Sequence, residues 1–273
     1  MSRHVVAVLG ASGLIGRAVV RALAQLEGVE VRRHTGPHGP SGGGETAFEL
    51  TDTTALDAFL AGATAVIHAA GPPDVGSAER APLVALAAHV TGTAVVAERA
   101  ALAGTHLVYV SSSKASAPSE SVYAEAKHAA ETVVRAWGRV SPVTIARPTH
   151  VYGPGGSPRT LVVDLVRHVL EGGEARPRDP AAQVDLVYVD DVARSLVAAA
   201  LNAPPPPEVR VVEVRSGHTT RAAQVARHLR KLRRGNLAPE LPCHGPTPLV
   251  VGLAHTLAAA RAASHMPTTE MSR

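Results

Sequence analysis

The strongest constraint on the fold is a regular alternation of short apolar runs with alanine-rich helical stretches. The apolar runs, rich in Val, Ile and Leu, cover residues 4–10, 29–33, 65–71, 106–113, 143–149 and 184–189. The helical patterns lie near residues 14–26, 53–61, 81–103, 122–138 and 160–171. Nearly continuous apolar strands separated by helices are typical of a parallel sheet buried on both faces. The sequence therefore predicts an α/β protein with a Rossmann-type, doubly wound parallel sheet.

The two parts of the chain differ in their patterns. Residues 1–150 carry most of the strand–helix alternation, and we expect them to form a dinucleotide-binding core to which 184–203 return. Residues 151–183 and 204–273 hold fewer strands and a basic helical stretch. We expect these two segments to form a smaller C-terminal lobe that binds substrate.

Composition limits the class of protein. Hydrophobic residues make up 45% of the chain and charged residues 18%, which is typical of a globular protein. The single cysteine, Cys243, excludes an intramolecular disulfide and fits a reducing compartment. The apolar run from Val5 to Leu9 is too short for a signal or membrane segment, so we predict a cytoplasmic protein without a membrane partner. The basic stretch at 227–234 has apolar residues at helical spacing, which favours a solvated helix face over a nucleic-acid site.

The first strand ends in "GASGLIG", with glycines at Gly10, Gly13 and Gly16. Glycines between a strand and a helix allow a tight turn, and they let the backbone approach a pyrophosphate at the positive end of the helix. The alternative is a glycine-rich turn that only packs the helix on the strand. The position of the motif favours dinucleotide binding.

A second motif, "SVYAEAKHAA", places Tyr123 four residues before Lys127 in a predicted helix. Lysine is rare in this chain, since it occurs only here, at Lys114 and at Lys231. On a helix the two side chains face the same way, so the ammonium can lie beside the phenol. A nearby positive charge stabilises phenolate, and we expect it to lower the tyrosine pKa from about 10 toward the working pH.

Together these motifs resemble the short-chain dehydrogenase/reductase superfamily, in particular its extended, nucleotide-sugar-modifying branch, the NAD-dependent epimerase/dehydratase family. The spacing GxxGxxG, "HAAG" at 68–71, "YVSSSKA" followed by "YAEAK", "RPTHVYGPG" at 147–155 and "VYVDDVA" at 187–193 carry the resemblance. It extends from about residue 5 to 260. Among its members the chain most resembles bacterial 4-ketoreductases of nucleotide-linked deoxysugars.

The resemblance implies a catalytic set of Ser113, Tyr123 and Lys127, with Ser112 as the alternative serine because three serines follow one another. The serine would hydrogen-bond the substrate carbonyl, Tyr123 would donate the proton, and Lys127 would also bind the nicotinamide ribose, a task for a compact ammonium. It implies no metal. The residues implied in cofactor binding are Gly10, Ser12, Gly13, Leu14, Ile15, Gly16, Arg32, Arg33, Leu50, Ala69, Ala70, Lys127 and Pro148.

The choice of cofactor depends on the end of the second strand, "VEVRRHTG". An acidic residue there would bind the ribose 2′-hydroxyl of NAD, whereas arginine accommodates the 2′-phosphate of NADP. Arg32 and Arg33 favour NADPH over NADH, and Glu30 lies too early in the strand to contact the ribose. The alternative is that the two arginines only solvate the strand end.

Two positions depart from the family pattern. His89 stands where the family usually has an asparagine that helps to hold a proton-relay water, so it either takes that role or is a packed core histidine. Val184 stands where sugar-nucleotide enzymes carry an arginine that clamps the substrate diphosphate. Arg176 and Arg178 are close in sequence and could replace that clamp.

The sequence predicts an NADPH-dependent ketoreductase that acts on the 4-keto group of a nucleotide-linked deoxysugar in antibiotic or other secondary-metabolite biosynthesis. The alternatives are reduction of a polyketide-type ketone, which Val184 favours, NAD-dependent sugar epimerisation, and a non-catalytic regulator that senses a dinucleotide. The predicted partner is a small-molecule ketone, with a possible homodimer and no nucleic acid.

Overall fold

The computed structural model divides the chain into two compact units. The first comprises Met1–Thr149 and Asp190–Val214, and the second comprises His150–Val189 and Arg215–Arg273. Cys243 lies outside the described residues. The structure describes residues 4–37, 39, 44–72, 74–173, 176–234 and 246–264.

The first unit is built on a seven-stranded sheet whose strand pairs are all parallel. Its strands are β1 (His4–Leu9), β2 (Val29–Thr35), β3 (Glu45–Ala47), β4 (Ala65–His68), β5 (His106–Val110), β6 (Val143–Pro148) and β9 (Val209–Val214). Their order is β3-β2-β1-β4-β5-β6-β9, so the chain winds outward from β1 in both directions. The predicted doubly wound parallel sheet is confirmed.

The strands of the first unit are joined by helices. These helices are α1 (Leu14–Leu23), α2 (Thr53–Leu60), α3 (Val75–Arg80), α4 (Pro82–Leu86), α5 (Gly92–Leu102), α6 (Val122–Trp137) and α8 (Val189–Leu201). A π-helical turn, Ala87–Thr91, connects α4 to α5. Polar side chains fix two of the helix starts, because Asp52 caps α2 and Ser121 caps α6 by accepting a hydrogen bond from a backbone N–H three residues later.

One apolar core lies between this sheet and the helices α2, α5 and α6. Alternate strand residues point into it, as the twofold periodicity of a strand requires. The fully buried members include Leu9 on β1, Val66 on β4 and Ile145 on β6, and Leu56 and Val96 meet them from the helices. The core therefore holds the strand ends, and the loops that follow them, in a fixed arrangement.

The second unit contains a smaller three-stranded sheet. Its elements are β7 (His150–Tyr152), α7 (Leu161–Leu170), β8 (Gln183–Tyr188), β10 (Thr219–Arg221), α9 (Ala222–Arg234) and α10 (Leu249–Ser264). The strand β8 pairs in parallel with β7 and antiparallel with β10. Helix α9 is the basic stretch, and it buries Val225 and Leu229 while Arg227 and Arg230 are exposed.

Two strands lie in a different sheet from the one that the sequence indicated. We expected 184–203 to return to the core and 204–273 to belong to the second lobe. In the structure β8 belongs to the small sheet, and β9 continues the large sheet by pairing with β6 over six residues. Apolar periodicity identifies a buried strand but not its partner, which is why the two were exchanged.

One described helical stretch, Pro82–Leu102, is long and apolar enough to cross a membrane by length and composition alone. It contains α4, the π-helical turn and α5, and it packs against α2 and α6 inside the first unit. It also carries the charged residues Glu98 and Arg99. The cytoplasmic location stays a prediction.

Candidate active site

A cavity of about 270 Å³ opens where β1, β2, β3 and β4 end. The chain reverses its winding direction between β1 and β4, and ligands of open α/β sheets bind at such a switch point beyond the carboxyl ends of the strands. Six of the predicted cofactor residues line this cavity: Gly10, Ser12, Gly13, Leu50, Ala69 and Ala70. The structure thus brings together residues from three separate loops, and the sequence had assigned all of these residues to cofactor binding.

The glycine turn is required by close backbone contacts. Gly10 has a φ of +82°, and a Cβ at this position would lie 2.8 Å from the Cα of Ala70. A Cβ on Gly16 would lie 2.1 Å from the carbonyl oxygen of Gly10. Any side chain at either glycine would push the first turn of α1 or the loop after β4 out of place.

The start of α1 is arranged to accept an anion. Gly13 is the N-cap, with an extended backbone and no side-chain cap, and the first turn carries no acidic residue. Leu14 and Ile15 begin the helix, so their backbone N–H groups belong to its uncapped positive end. This end, together with the close approach of the backbone at Gly10, fits the pyrophosphate of a dinucleotide.

The end of β2 presents His34 to the cavity rather than the two arginines. His34 lines the cavity, its Nε2 lies 2.9 Å from the carbonyl oxygen of Phe48, and its Nδ1 accepts from the Gly10 N–H at 3.4 Å. Arg32 instead donates to the carbonyl oxygens of Phe59 and Ala61, at 2.8 and 2.7 Å, at the end of α2.

Arg33 points differently from its neighbours because successive strand residues face opposite sides of the sheet. Its guanidinium lies beside Gly44, where an added Cβ would be 2.7 Å from Nη2. Neither Arg32 nor Arg33 lines the cavity. Glu30 pairs with Arg32 at 3.4 Å, which occupies the strand's one carboxylate.

The predicted pair on α6 is brought together in the structure. The Nζ of Lys127 lies 5.9 Å from the centre of the Tyr123 ring and 5.0 Å from that of Tyr109 on β5. It also donates a hydrogen bond of 2.9 Å to the carbonyl oxygen of Val110. An ammonium has three N–H donors, so two remain available after this bond. The spacing of four residues on one helix therefore produces the contact that the sequence predicted.

Burial changes the protonation of this lysine. Lys127 is only 5% exposed. Desolvation lowers its pKa to about 7, and the negative charge of Glu131, one turn further along α6, opposes the shift. A lysine in this environment is close to its titration point at neutral pH, so small changes in local charge alter its protonation.

The structure places Ser112 next to the tyrosine. The Ser112 hydroxyl is close enough to the phenol of Tyr123 to lower its pKa, and it accepts a hydrogen bond from the backbone N–H of Lys114 at 3.2 Å. Ser113, the serine that we favoured, begins the short 3₁₀ helix Ser113–Ser116. Ser112, the alternative, is therefore the serine that reaches Tyr123.

The expected lowering of the tyrosine pKa is not what the structure shows. Loss of solvent on burial is the largest effect and raises the pKa of Tyr123 to about 12, and the neighbouring Ser112 hydroxyl opposes the rise without cancelling it. The negative charge of Asp74 adds to the rise. The phenol is consequently protonated at neutral pH.

His89 lies next to this pair, in the π-helical turn. Its ring is 1% exposed and meets the Tyr123 ring edge to face, with 5.4 Å between the ring centres. Both ring nitrogens are buried, and neither makes a hydrogen bond of normal geometry to the described residues. Burial, reinforced by the charge of Lys127, lowers its pKa to about 2, so the imidazole is neutral.

Sequence reasoning missed several residues that line the cavity, and seven of its thirteen cofactor residues do not line it. Pro148 ends β6, where it is buried in register with Val214, and it does not line the cavity. Most of the missed residues could have been predicted from their position, because ligand-binding residues follow the ends of strands in such sheets. The missed lining residues are His34, Gly36, Pro37, Phe48, Glu49 and Gly71.

Comparisons with known proteins agree with this geometry. The model of the NAD dependent epimerase/dehydratase family matches residues 6–212. A ceramide reductase from Caulobacter vibrioides is 35% identical over 203 residues, which cover 72% of this chain and 61% of the relative. The alignment thus spans less than two thirds of that protein's length.

Solved structures resemble the fold over nearly the whole chain. The Bordetella bronchiseptica enzyme WbmF in complex with NAD⁺ has a TM-score of 0.80 and 21% identity, covering 96% of this chain and 93% of its own. MoeE5 in complex with UDP-glucose and NAD has a TM-score of 0.79 and 22% identity, covering 96% and 99%. At these identities the likeness concerns the fold.

A dinucleotide cavity at the switch point of a parallel sheet and a Ser–Tyr–Lys cluster define an NAD(P)-dependent enzyme of the oxidoreductase type. The chain belongs to the NAD-dependent epimerase/dehydratase family, which is the extended branch of the short-chain dehydrogenases/reductases. The description of this family names NAD as its cofactor.

Proposed function

We propose that this protein reduces a ketone to an alcohol with a reduced nicotinamide dinucleotide. The observation that carries this proposal is the cluster of the Tyr123 phenol, the Ser112 hydroxyl and the buried Lys127 ammonium. A phenol with a pKa near 12 is protonated at neutral pH, which is the state that a proton donor needs. The cluster therefore suits reduction.

When bound, a reduced dinucleotide would supply the hydride for the carbonyl carbon, and the π electron pair of the carbonyl would move to its oxygen. The Oη–H bond of Tyr123 breaks as its proton passes to the carbonyl oxygen, and the electron pair of that bond stays on the phenolate. Ser112 donates a hydrogen bond to the same oxygen and orients it. Lys127, which carries a positive charge and makes one hydrogen bond to the described part of the chain, stabilises the phenolate until solvent protonates it again.

The preference for NADPH over NADH is the second part of the proposal, and it now depends on Arg33. Arg32 is committed to the carbonyl oxygens of Phe59 and Ala61. We assign the 2′-phosphate contact to Arg33, which lies in β2 beside Gly44.

For the substrate, our first candidate is a nucleotide-linked 4-keto deoxysugar, which the sequence motifs favour. Val184 counts against it, because this side chain is buried in β8 and provides no charge for a diphosphate. Arg176 and Arg178 in the same unit are exposed and could supply the missing clamp.

A lipid ketone of the ceramide type is the second candidate. The name of the 35% identical relative supports it, and so does the absence of an arginine at position 184. A lipid ketone needs no diphosphate clamp. A polyketide-type ketone also needs no diphosphate clamp, so it is the third substrate class to be tested.

The test is to follow NADPH oxidation by the purified protein with each ketone in turn, using Tyr123→Phe as the matched control. We expect one of the three classes to be reduced by the parent protein and not by the variant. Reduction of the lipid ketone alone would replace the sugar assignment.

Two other outcomes would overturn ketone reduction itself. Interconversion of a UDP-sugar without net oxidation of NADPH would show an epimerase. Dinucleotide binding without turnover of any ketone or sugar would favour the regulator that senses a dinucleotide. A small-molecule ketone is the only partner that the proposal needs, and the homodimer stays a prediction.

A further inference from the structure

Three consecutive residues that leave β5 each meet a side chain of α6. The carbonyl oxygen of Val110 accepts from Lys127, the Ser111 hydroxyl donates to Glu131 at 2.6 Å, and the Ser112 hydroxyl is close enough to the Tyr123 phenol to affect its pKa. Tyr123, Lys127 and Glu131 follow one another at intervals of four, so they form one ridge of the helix. Two members of the ridge belong to the proposed active site, and the third, Glu131, has no role in it so far.

Glu131 is held more firmly than either of the other two. Its side chain is 3% exposed, and its carboxylate accepts two hydrogen bonds from Arg147 on β6, at 2.8 Å from Nε and 2.6 Å from Nη2. Arg135 adds a weaker contact at 3.5 Å. Burial opposes ionisation, but the bonds from Arg147 and Ser111 outweigh it and hold the pKa of this carboxyl below its usual value.

Arg147 is itself fixed by further contacts. It donates to the Ser116 hydroxyl at 3.1 Å and to Glu213 on β9 at 3.3 Å. Arg147 therefore connects Glu131 to the 3₁₀ helix Ser113–Ser116 and to β9, the edge strand of the large sheet. An apolar pair of the same shape would often be as stable as a buried ion pair. Stability alone therefore does not explain why Glu131 and Arg147 are charged.

Glu131 is also the carboxylate that acts on Lys127. The other groups facing the ammonium are the ring of Tyr109 from β5, the phenol of Tyr123, and two histidines, His68 on β4 and His89 in the π-helical turn. Burial lowers the pKa of both histidines, to about 3 and about 2, so both are neutral at working pH. Among these groups the negative charge comes from Glu131.

We propose that Glu131, clamped by Arg147, is a positioning residue of the active site. Its carboxylate holds Ser111 so that the next residue, Ser112, faces Tyr123, and its charge offsets that of the Lys127 ammonium. The kinetic part of this role rests on the proposed ketone reduction. The effect on Lys127 does not, because it concerns a lysine that can be titrated without turnover.

The first experiment is Glu131→Gln, which keeps the size and the hydrogen-bond acceptor but removes the charge. Without that charge Lys127 loses its proton more easily, so we expect its pKa to fall by about one unit. The chain has three lysines, so ¹³C-labelled lysine gives an NMR titration with three signals. An unchanged titration of Lys127 would overturn the electrostatic part of the proposal, whether or not the protein reduces any ketone.

The kinetic profile separates charge from geometry. In Glu131→Gln the alkaline limb of the kcat profile should move to lower pH by the same amount as the Lys127 titration. Glu131→Asp keeps the charge but shortens the reach to Ser111, so kcat should fall about tenfold at every pH while the limb stays in place. A Glu131 that only stabilises the fold would leave both the limb and the pH-independent kcat at parental values.

The matched control is Asp57→Asn. Asp57 accepts from Nε and Nη2 of Arg99, at 2.7 and 3.0 Å, so it forms the same kind of two-bond ion pair between α2 and α5. We expect no shift of the Lys127 titration or of the alkaline limb in this variant. A shift as large as that of Glu131→Gln would overturn the specific role.

A double variant tests the proposal in case Glu131→Gln folds poorly. Glu131→Gln leaves Arg147 without its anion, and Glu131→Gln with Arg147→Gln removes both charges together. The double variant should show a smaller fall in the Lys127 pKa than Glu131→Gln, because removal of the Arg147 cation partly offsets the loss of the carboxylate. A Lys127 pKa at or above the parental value in the double variant would contradict the proposal.

Discussion

The ridge of α6 and the end of β2 both carry charged residues that the sequence assigned to the active site, and the structure treats them differently. On α6, Lys127 is buried, makes one hydrogen bond to the described residues and keeps two N–H donors for a ligand. On β2, Arg32 is partly exposed and its guanidinium is engaged by two carbonyl oxygens and by Glu30. A buried cation with unused donors indicates function more strongly than an arginine at the expected position.

The difference has a geometric cause. Residues four apart on a helix lie on the same face in any protein, so the Tyr123–Lys127 contact depends on one helix alone. Neighbouring strand residues face opposite sides, so a shift of one residue decides whether Arg32, Arg33 or His34 reaches the cavity. The helical motif therefore brought both of its residues together, whereas neither strand-end arginine lines the cavity.

The largest expected effect concerns the proton donor on α6. Tyr123→Phe should lower kcat by roughly 10²–10⁴ and leave NADPH affinity unchanged, because only the transferable proton is removed. Steady-state kinetics and a binding titration measure the two quantities separately. The matched control is Tyr109→Phe, which removes a phenol hydroxyl from the other ring beside Lys127 and should keep the parental kcat. Equal losses in both variants would contradict the assignment of Tyr123.

The next effect concerns the stability cost of the buried lysine. The pKa of Lys127 is about 7 in the fold, against an ordinary value of 10.5, so the unfolded chain binds its proton more readily. This destabilisation is complete below pH 7 and disappears as the pH rises to the unfolded value. Lys127→Met should therefore raise the free energy of unfolding below pH 7 by on the order of 2–4 kcal/mol, although it abolishes the site.

Urea unfolding of Lys127→Met at pH 6 and at pH 10 tests this expectation, since the gain should shrink as the pH rises. Lys114→Met, at a partly exposed lysine paired with Glu120, is the control and should show no such pH dependence. A gain of the same size at both pH values would mean that packing, and not charge, caused it.

A smaller effect comes from three buried, neutral histidines, of which His68 and His89 lie near Lys127 and His106 begins β5. Burial lowers the pKa of His68, His89 and His106 to about 3, 2 and 4. Above the ordinary histidine pKa of about 6.5 these histidines are neutral in both states and cost no stability. Below that pH only the unfolded chain binds the protons, so the free energy of unfolding falls. Each should steepen the loss of unfolding free energy by up to about 1.4 kcal/mol per pH unit.

The comparison between His106→Gln and His218→Gln tests this, because His218 is an exposed histidine of the second unit. Denaturant unfolding between pH 7 and pH 5 should show a shallower slope for the His106 variant and the parental slope for the His218 variant. Identical slopes in all three proteins would contradict a neutral, buried His106.

The smallest effect is expected at the end of β2. Arg33→Ala should reduce the preference for NADPH over NADH by about tenfold, the value of one charge-assisted contact of about 1.5 kcal/mol. Arg32→Ala should leave that preference within about twofold of the parent while lowering Tm, because its hydrogen bonds support α2. Dissociation constants for both dinucleotides decide the matter. A larger loss of preference in Arg32→Ala would reverse our assignment of the two arginines.

The sequence by itself determined the features that depend on local geometry. The alternation of apolar runs and helices was enough for the parallel sheet, and the glycine spacing was enough for the turn after β1. The helical interval of four residues was enough for Tyr123 and Lys127. Each of these follows from the backbone of one element or of two adjacent ones.

Only the tertiary structure decided what depends on pairing and register. It put β9 beside β6, gave Ser112 and not Ser113 to Tyr123, committed Arg32 to the end of α2, and joined Glu131 to Arg147. It also buried the phenol enough to raise its pKa, which no local pattern indicates. These outcomes depend on which distant segments meet and on how much water they exclude, and neither is encoded in the spacing of residues along one element.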